Sequence, residues 1–261
     1  MNNAFSLKEK IKNKEVVIGM FTKFNNMTAT ELIGNAGFDF IIVDMEHANF
    51  SFYDLENIIR VADGCGMSSV VRTCYATKED VLHSLDSGAD GVQIPSLSTI
   101  EKAKEICMGT KYFPEGDRGA STTQRSSKYG CWDKEEPYFA FANRNSTVIV
   151  HVENKEMAAN IEELCEIPQV DVVFIGPADL SQSLGKPGQL NDPEVVAVIE
   201  DVIERTLKAG KAVGIYVGNI AAAKKYVGLG VTYLAYGTDT VSTGLMFKGL
   251  KKEIEQELGL K

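Results

Sequence analysis

Four apolar runs end in groups that can do chemistry: V-D-M-E-H-A at 43–48, V-V-R-T at 70–73, V-H-V-E-N at 150–154 and F-I-G-P-A-D-L-S at 174–181. Carboxylates, an imidazole and a permanent cation gathered at one mouth are what an enzyme needs to hold a hard divalent ion and stabilise an enolate. Glu153 and Asp179 follow consecutive strands, and adjacent strands lie roughly 4.8 Å apart. Two carboxylates that close repel unless one binds a proton or a cation sits between them. A divalent ion is the simpler solution, the plainer alternative being that Asp179 caps the helix after it.

His47 can exchange a proton near neutral pH, as a general base must, although a lone histidine is as readily structural. Asp86, at the end of a later helical segment, is a candidate to orient its ring. Arg72 can bind a carboxylate or steady an enolate oxygen, or pair with Asp44 or Glu46, and the roles can coexist. The Gly-Pro turn at 176–177 presents backbone N–H groups near Ala178 and Asp179 that suit a substrate carboxylate. Gly237 and Asp239 read as barrel closure, and His83 as a helix-surface residue. No strand end carries an obvious lysine, so a Schiff base is not expected.

Eight near-continuous apolar runs can position these groups: 16–21, 38–44, 69–73, 91–95, 147–153, 170–176, 212–217 and 232–237. Such runs fit a parallel sheet covered on both faces. Helical segments alternate with them. Their expected starts are Thr28-x-x-Glu31, Ser51-x-x-Asp54, Thr77-x-x-Asp80, Ser98-x-x-Glu101, Asp192-Pro193 and Asn219, and their stops Gly37, Gly88, Gly210 and Gly230. The count predicts a (β/α)8 TIM barrel with reactive groups at the C-terminal strand ends. A doubly wound sheet is the competitor, but no strand-linked glycine-rich phosphate loop appears.

A helix over Ser6 to Asn13 is expected to plug or flank the barrel bottom. The long Tyr112 to Ser146 stretch reads as an insertion on the catalytic face, shaping substrate access. No linker divides the chain, so residues 1–261 read as one domain.

With 44% hydrophobic and 24% charged residues the chain has an ordinary globular composition. A net charge of −9 opposes a nucleic-acid partner. No apolar run is long enough to span a membrane, and the start lacks a secretory signal, which places the protein in the cytoplasm. Five cysteines without C-x-x-C spacing read as free thiols.

At these residues the chain resembles the HpcH/HpaI family of metal-dependent class II pyruvate aldolases. D-x-E-H-A, V-V-R, P-x-G-x-R-G, V-x-V-E and F-I-G-P-A-D-L-S carry the likeness, from about Val17 to Asp239. The resemblance implies a barrel whose last helix is exchanged between subunits, in a hexamer or trimer of dimers. It implies Mg2+, Mn2+ or Co2+ on Glu153 and Asp179, with pyruvate chelating through its carboxylate and keto oxygen. Arg72 would steady the enolate, and His47, supported by Asp86, would serve as acid and base. The implied reaction cleaves a 4-hydroxy-2-oxo acid to pyruvate and an aldehyde.

Two positions depart from the family pattern. Asn49 replaces a frequent proline. His151 stands where glutamine is usual, and it is read as a substrate-side residue that is a third metal ligand, a second acid/base or a substitute hydrogen-bond donor, the last being preferred. The competing readings are related enolate chemistry on oxaloacetate, by decarboxylation or citrate-type condensation, and a non-catalytic barrel scaffold.

Overall fold

The computed structural model describes residues 7–260; Ser6, the expected first residue of the N-terminal helix, lies outside the described residues. Eight parallel strands close in chain order: β1 (Val17–Thr22), β2 (Phe40–Asp44), β3 (Ser68–Arg72), β4 (Gly91–Ile94), β5 (Thr147–Val152), β6 (Val172–Ile175), β7 (Ala212–Val217) and β8 (Tyr233–Thr238). Because β1 pairs with both β2 and β8, the sheet has no edge and the expected TIM barrel replaces the doubly wound alternative. The helices are α1 (Leu7–Lys12), α2 (Met27–Asn35), α3 (Phe52–Gly64), α4 (Lys78–Asp86), α5 (Ile100–Met108) and α6 (Tyr138–Asn145). They continue as α7 (Lys155–Ala159), α8 (Ile161–Cys165), α9 (Pro177–Ser183), α10 (Pro193–Lys208), α11 (Ile220–Gly228) and α12 (Asp239–Glu257).

Alternation along each strand sorts the side chains into two cores. On β5, Val148, Val150 and Val152 pack outward beneath the helices, whereas Ile149 joins Phe40, Phe174 and Tyr233 inside the barrel. Since the period is two, His151 also points inward, its ring stacked on Phe174 at 4.8 Å.

The N-terminal helix closes the bottom, as expected. Leu7 and Ile11 of α1 pack into the interior core. Lys8 reaches Asp171 at 3.0 Å, and Lys10 reaches Asp39 at 2.7 Å. Asp39, Asp90 and Asp171 each precede a strand and accept the N–H of Ile18, Ser69 and Val148 on the strand before it. These aspartates set the register of alternate strand pairs and, at two of the three, receive the plug's lysines.

Helix starts follow the sequence closely but not everywhere. Ser51 with Asp54 forms the expected capping box; Thr77, Asp192 and Asn219 also cap as expected. The first expected cap moves from Thr28 to Asn26, and the fourth from Ser98 to Thr99. In each case the residue with extended backbone, rather than the one with a matching acid three later, aims its oxygen at the first-turn N–H.

The insertion lies on the face opposite to the one expected. Residues 112–146 connect the end of α5 to the start of β5, and that connection runs along the N-terminal side of the barrel. There Arg125 binds Asp63 at 2.5 Å and the Ser87 carbonyl at 2.9 Å, both at the C-terminal ends of helices that run antiparallel to the strands. Arg118 of P-E-G-D-R-G binds Asp86 at 2.5 Å and lies over the Tyr112 ring. Gly116 is obligatory in this turn, because a Cβ there would stand 2.3 Å from the Met108 carbonyl oxygen.

Helix α12 packs little against its own barrel: Leu245 is 65% and Phe247 61% exposed, and within α12 only Asp239 is buried. No helix among the described residues is long and apolar enough to cross a membrane.

Candidate active site

Asp44, at the end of β2, is fully buried, and burial alone would push its carboxyl up. The Arg72 fork, the His47 N–H and Lys23 outweigh that effect and hold it below the usual carboxylate range. Arg72 donates from Nε to Asp44 Oδ1 at 2.9 Å and from Nη2 to Oδ2 at 2.6 Å, while Nη1 lies 3.0 Å from Glu46. The ion pair considered from sequence is therefore present with both acids. Guanidinium has five N–H groups, so one on each Nη remains for a substrate. The cation also lies over the Phe21 ring, 4.8 Å from its centre.

Glu153 follows β5 and is 8% exposed. Its Oε1 accepts the Ser96 N–H at 2.5 Å, and its Oε2 faces His151 Nδ1 at 2.8 Å. Desolvation is the largest single influence and raises this carboxyl; His151, the Ser96 N–H and Arg72 together reverse it and hold the group at about 2. Ser96 reaches this position with a left-handed backbone, φ 57°, a conformation a non-glycine residue adopts at a cost. A Cβ on Gly176 would stand 3.1 Å from Glu153 Oε2, so glycine keeps room around the carboxylate.

Asp179 stands in the first turn of α9, whose Gly176 start has no side-chain cap. Among the described residues its carboxylate has no hydrogen-bond or ion-pair partner, and it lines the same cavity as Glu153. The cavity holds about 330 Å³ and is also lined by Lys23, His47, Arg72, His151, Ala178 and Thr238, with Phe21, Phe174 and Tyr216 as its aromatic part.

His47 stands at the rim, its side chain 56% exposed and its Nε2 3.7 Å from Glu46. Asp86 is not brought to it within one chain. Helix α4 runs antiparallel to the strands, so its last residue returns to the barrel bottom, where Arg118 holds it. His151 lines the cavity with both ring nitrogens engaged, one by Glu153 and the other by Gln93. Asp239 accepts from Thr22 Oγ1 at 2.6 Å and the Lys23 N–H at 2.9 Å, closing β8 onto β1 as expected.

Lys23 corrects the expectation that no strand end offers a lysine: it follows β1 directly, lines the cavity and stands 3.2 Å from Asp44. The first apolar run reads as ending at Phe21, two residues earlier, which concealed it. Ser96, Gln93 and Tyr216 were also unmarked. Strand alternation within G-V-Q-I-P and A-V-G-I-Y-V was the available signal for the last two.

Glu153 and Asp179 fit a hard divalent ion: both are oxygen donors, one is held ionised, and the other lacks a partner among the described residues. No three His, Cys, Asp or Glu side chains gather as a closed metal cage among the described residues. Two carboxylates leave open positions for water and substrate oxygens.

Fold and site together define a barrel enzyme whose reactive groups converge at the C-terminal strand ends. Residues 17–244 match the HpcH/HpaI aldolase/citrate lyase family, and the chain belongs to that family. It is 35% identical over 241 residues to a 4-hydroxy-2-oxo-heptane-1,7-dioate aldolase of Klebsiella pneumoniae, covering 92% of this chain and 89% of that one. It is 33% identical over 242 residues to a 2-keto-3-deoxy-L-rhamnonate aldolase of Salmonella typhi, with the same coverage. A crystal structure of an HpcH/HpaI aldolase/citrate lyase family protein from Burkholderia cenocepacia superposes with a TM-score of 0.90 at 28% identity, covering 97% of this chain and 100% of that one. The protein is an enzyme of the lyase class, an aldolase, in a family that generally depends on divalent metal.

Proposed function

We propose that this aldolase cleaves a 4-hydroxy-2-oxo acid to pyruvate and an aldehyde, with Mg2+ or Mn2+, and Co2+ as a further candidate, held by Glu153 and Asp179. The observation that carries the reading is an ionised, oriented Glu153 sharing one cavity with an Asp179 that has no partner among the described residues. When bound, the ion supplies a Lewis acid that polarises the keto oxygen and spreads developing negative charge. The chain's own groups do the rest. Arg72 offers its two unengaged N–H groups to the oxygen that becomes anionic as the carbon–carbon bond breaks. The N–H groups near Ala178 and Asp179 orient the substrate carboxylate. His47 takes the proton of the aldol hydroxyl as the carbon–carbon bond breaks and gives one back to the enolate carbon, which then leaves as pyruvate. Phe21, Phe174 and Tyr216 limit water around the reacting carbons.

Lys23 makes a Schiff-base route worth testing directly. Exhaustive chelation is expected to abolish pyruvate release and added Mn2+ to restore it, while borohydride with pyruvate leaves activity intact. Inactivation by borohydride with a pyruvyl adduct on Lys23, together with resistance to chelator, would reject the metal reading.

The reading extends to a homo-oligomer, a hexamer or trimer of dimers, in which α12 is exchanged between copies. The exposed Leu245 and Phe247 on α12, and Leu32 on α2 at 64% exposure, support it, since unpartnered apolar faces this prominent need cover. An acid at position 86 can then support His47 only from a second copy. Light scattering at micromolar concentration is expected to show the hexamer, and the double variant Leu245→Glu/Phe247→Glu a smaller, less active species. An unchanged mass would remove this part. Five free thiols suit the cytoplasm, where they stay reduced.

A further inference from the structure

The interior of the barrel beneath the carboxylates contains a run of polar side chains that the proposed chemistry does not use. Tyr233, Gln93 and His151 are 0%, 0% and 2% exposed, surrounded by apolar core. Buried polar groups are retained only where each finds a partner, and here the partners form one directed chain. The Tyr233 hydroxyl is 3.3 Å from Gln93 Oε1. Burial pushes that phenol well above its usual range, so it remains a donor. Oε1 is thereby the accepting end of the Gln93 amide, and Nε2 is the end that faces His151, 2.6 Å from the ring Nε2.

An amide N–H can only donate, so the ring Nε2 accepts and the imidazole proton is assigned to Nδ1. Nδ1–H then donates to Glu153 Oε2 at 2.8 Å. On the other oxygen of Glu153 the Ser96 N–H completes the clamp at 2.5 Å. Reversing any one member would set donor against donor or leave a buried group unpaired. The ring cannot swing away either, since it is stacked on Phe174 with planes 26° apart.

We propose that the chain Tyr233, Gln93, His151 is a positioning device for Glu153, which fixes the carboxylate in one orientation towards the cavity and so sets the affinity for the divalent ion. The inference rests on the reading above that Glu153 and Asp179 hold that ion. His151 is thus a positioning residue: with Nε2 capped and Nδ1 committed, it is neither a third ligand nor a proton shuttle. A glutamine at 151 also carries an N–H that can reach Glu153, whereas leucine carries none. Removing hydrogen-bond partners behind a metal ligand typically costs ten- to a hundredfold in metal affinity.

The test is Mn2+ binding to the full-length enzyme without substrate, read by the electron paramagnetic resonance signal of free Mn2+. His151→Leu is expected to weaken binding by about ten- to a hundredfold, and His151→Gln to stay near wild type. Tyr233→Phe, remote from the cavity and close in shape, is expected to weaken binding by several-fold without altering the fold; it carries the test should His151→Leu not fold. Nitrogen-15 spectra of the histidine rings are expected to show His151 protonated at Nδ1. Wild-type affinity in both His151→Leu and Tyr233→Phe, or a proton on Nε2, would overturn the proposal while Glu153→Gln still loses Mn2+. Wild-type affinity in Glu153→Gln would instead remove the metal reading itself.

Discussion

Replacing Arg72 by lysine is expected to lower kcat/KM by about a hundred- to a thousandfold with the fold intact. Lysine keeps the charge but cannot hold Asp44 through two parallel bonds, touch Glu46 and still aim two N–H groups at a substrate oxygen. Arg72→Leu goes further, because it leaves the fully buried Asp44 with Lys23, 3.2 Å away, as its remaining ion-pair partner. Breaking a buried pair from one side costs roughly 3–5 kcal/mol, so urea unfolding of Arg72→Leu is expected to shift by about that amount. Adding Asp44→Asn is expected to recover much of the stability and none of the activity. If Arg72→Lys turned over at the wild-type rate, the arginine would be a structural clamp alone.

That double duty was legible in part. The sequence offered ion pairing and enolate stabilisation at Arg72 as alternatives, and the geometry permits both because guanidinium has more donors than Asp44 and Glu46 consume. The barrel, its plug and its order of strands were readable because each strand is a bounded apolar run followed by a helix with its own start and stop. Asp86 is parted from the His47 of its own chain for a definite reason that the sequence reading overlooked: antiparallel α4 takes its last residue to the barrel bottom. The insertion was misplaced by the same oversight, since a segment between a helix and the next strand belongs to the N-terminal face.

Lys23, Gln93 and Tyr233 escaped notice for another reason. Each sits in or beside an apolar strand whose hydrophobic signal dominates, and only strand alternation together with barrel closure shows which residues face inward. His151 stood out as a departure from the family pattern, but its role depends on partners from β4 and β8 that lie 58 and 82 residues away in sequence, at Gln93 and Tyr233.

Glu153→Gln is expected to abolish measurable Mn2+ binding and to reduce kcat/KM by about a thousandfold or more, as removal of a principal charge-stabilising element does. The same variant has a signature that does not require the metal. In the folded chain Glu153 is held at about 2, against 4.5 for the unperturbed group. A carboxyl depressed by folding contributes stability above its unfolded value, and that contribution is lost as pH falls towards the folded one. Without metal, the wild type is therefore expected to exceed Glu153→Gln in stability at pH 7, where glutamine also sets an amide against the Ser96 and His151 donors. The gap is expected to narrow between about pH 4.5 and 2. Urea titrations of the two proteins across that window measure it directly. A gap that stayed constant with pH would mean that the carboxylate is not held ionised by its clamp, and the orientation argued for Glu153 would lose its electrostatic basis.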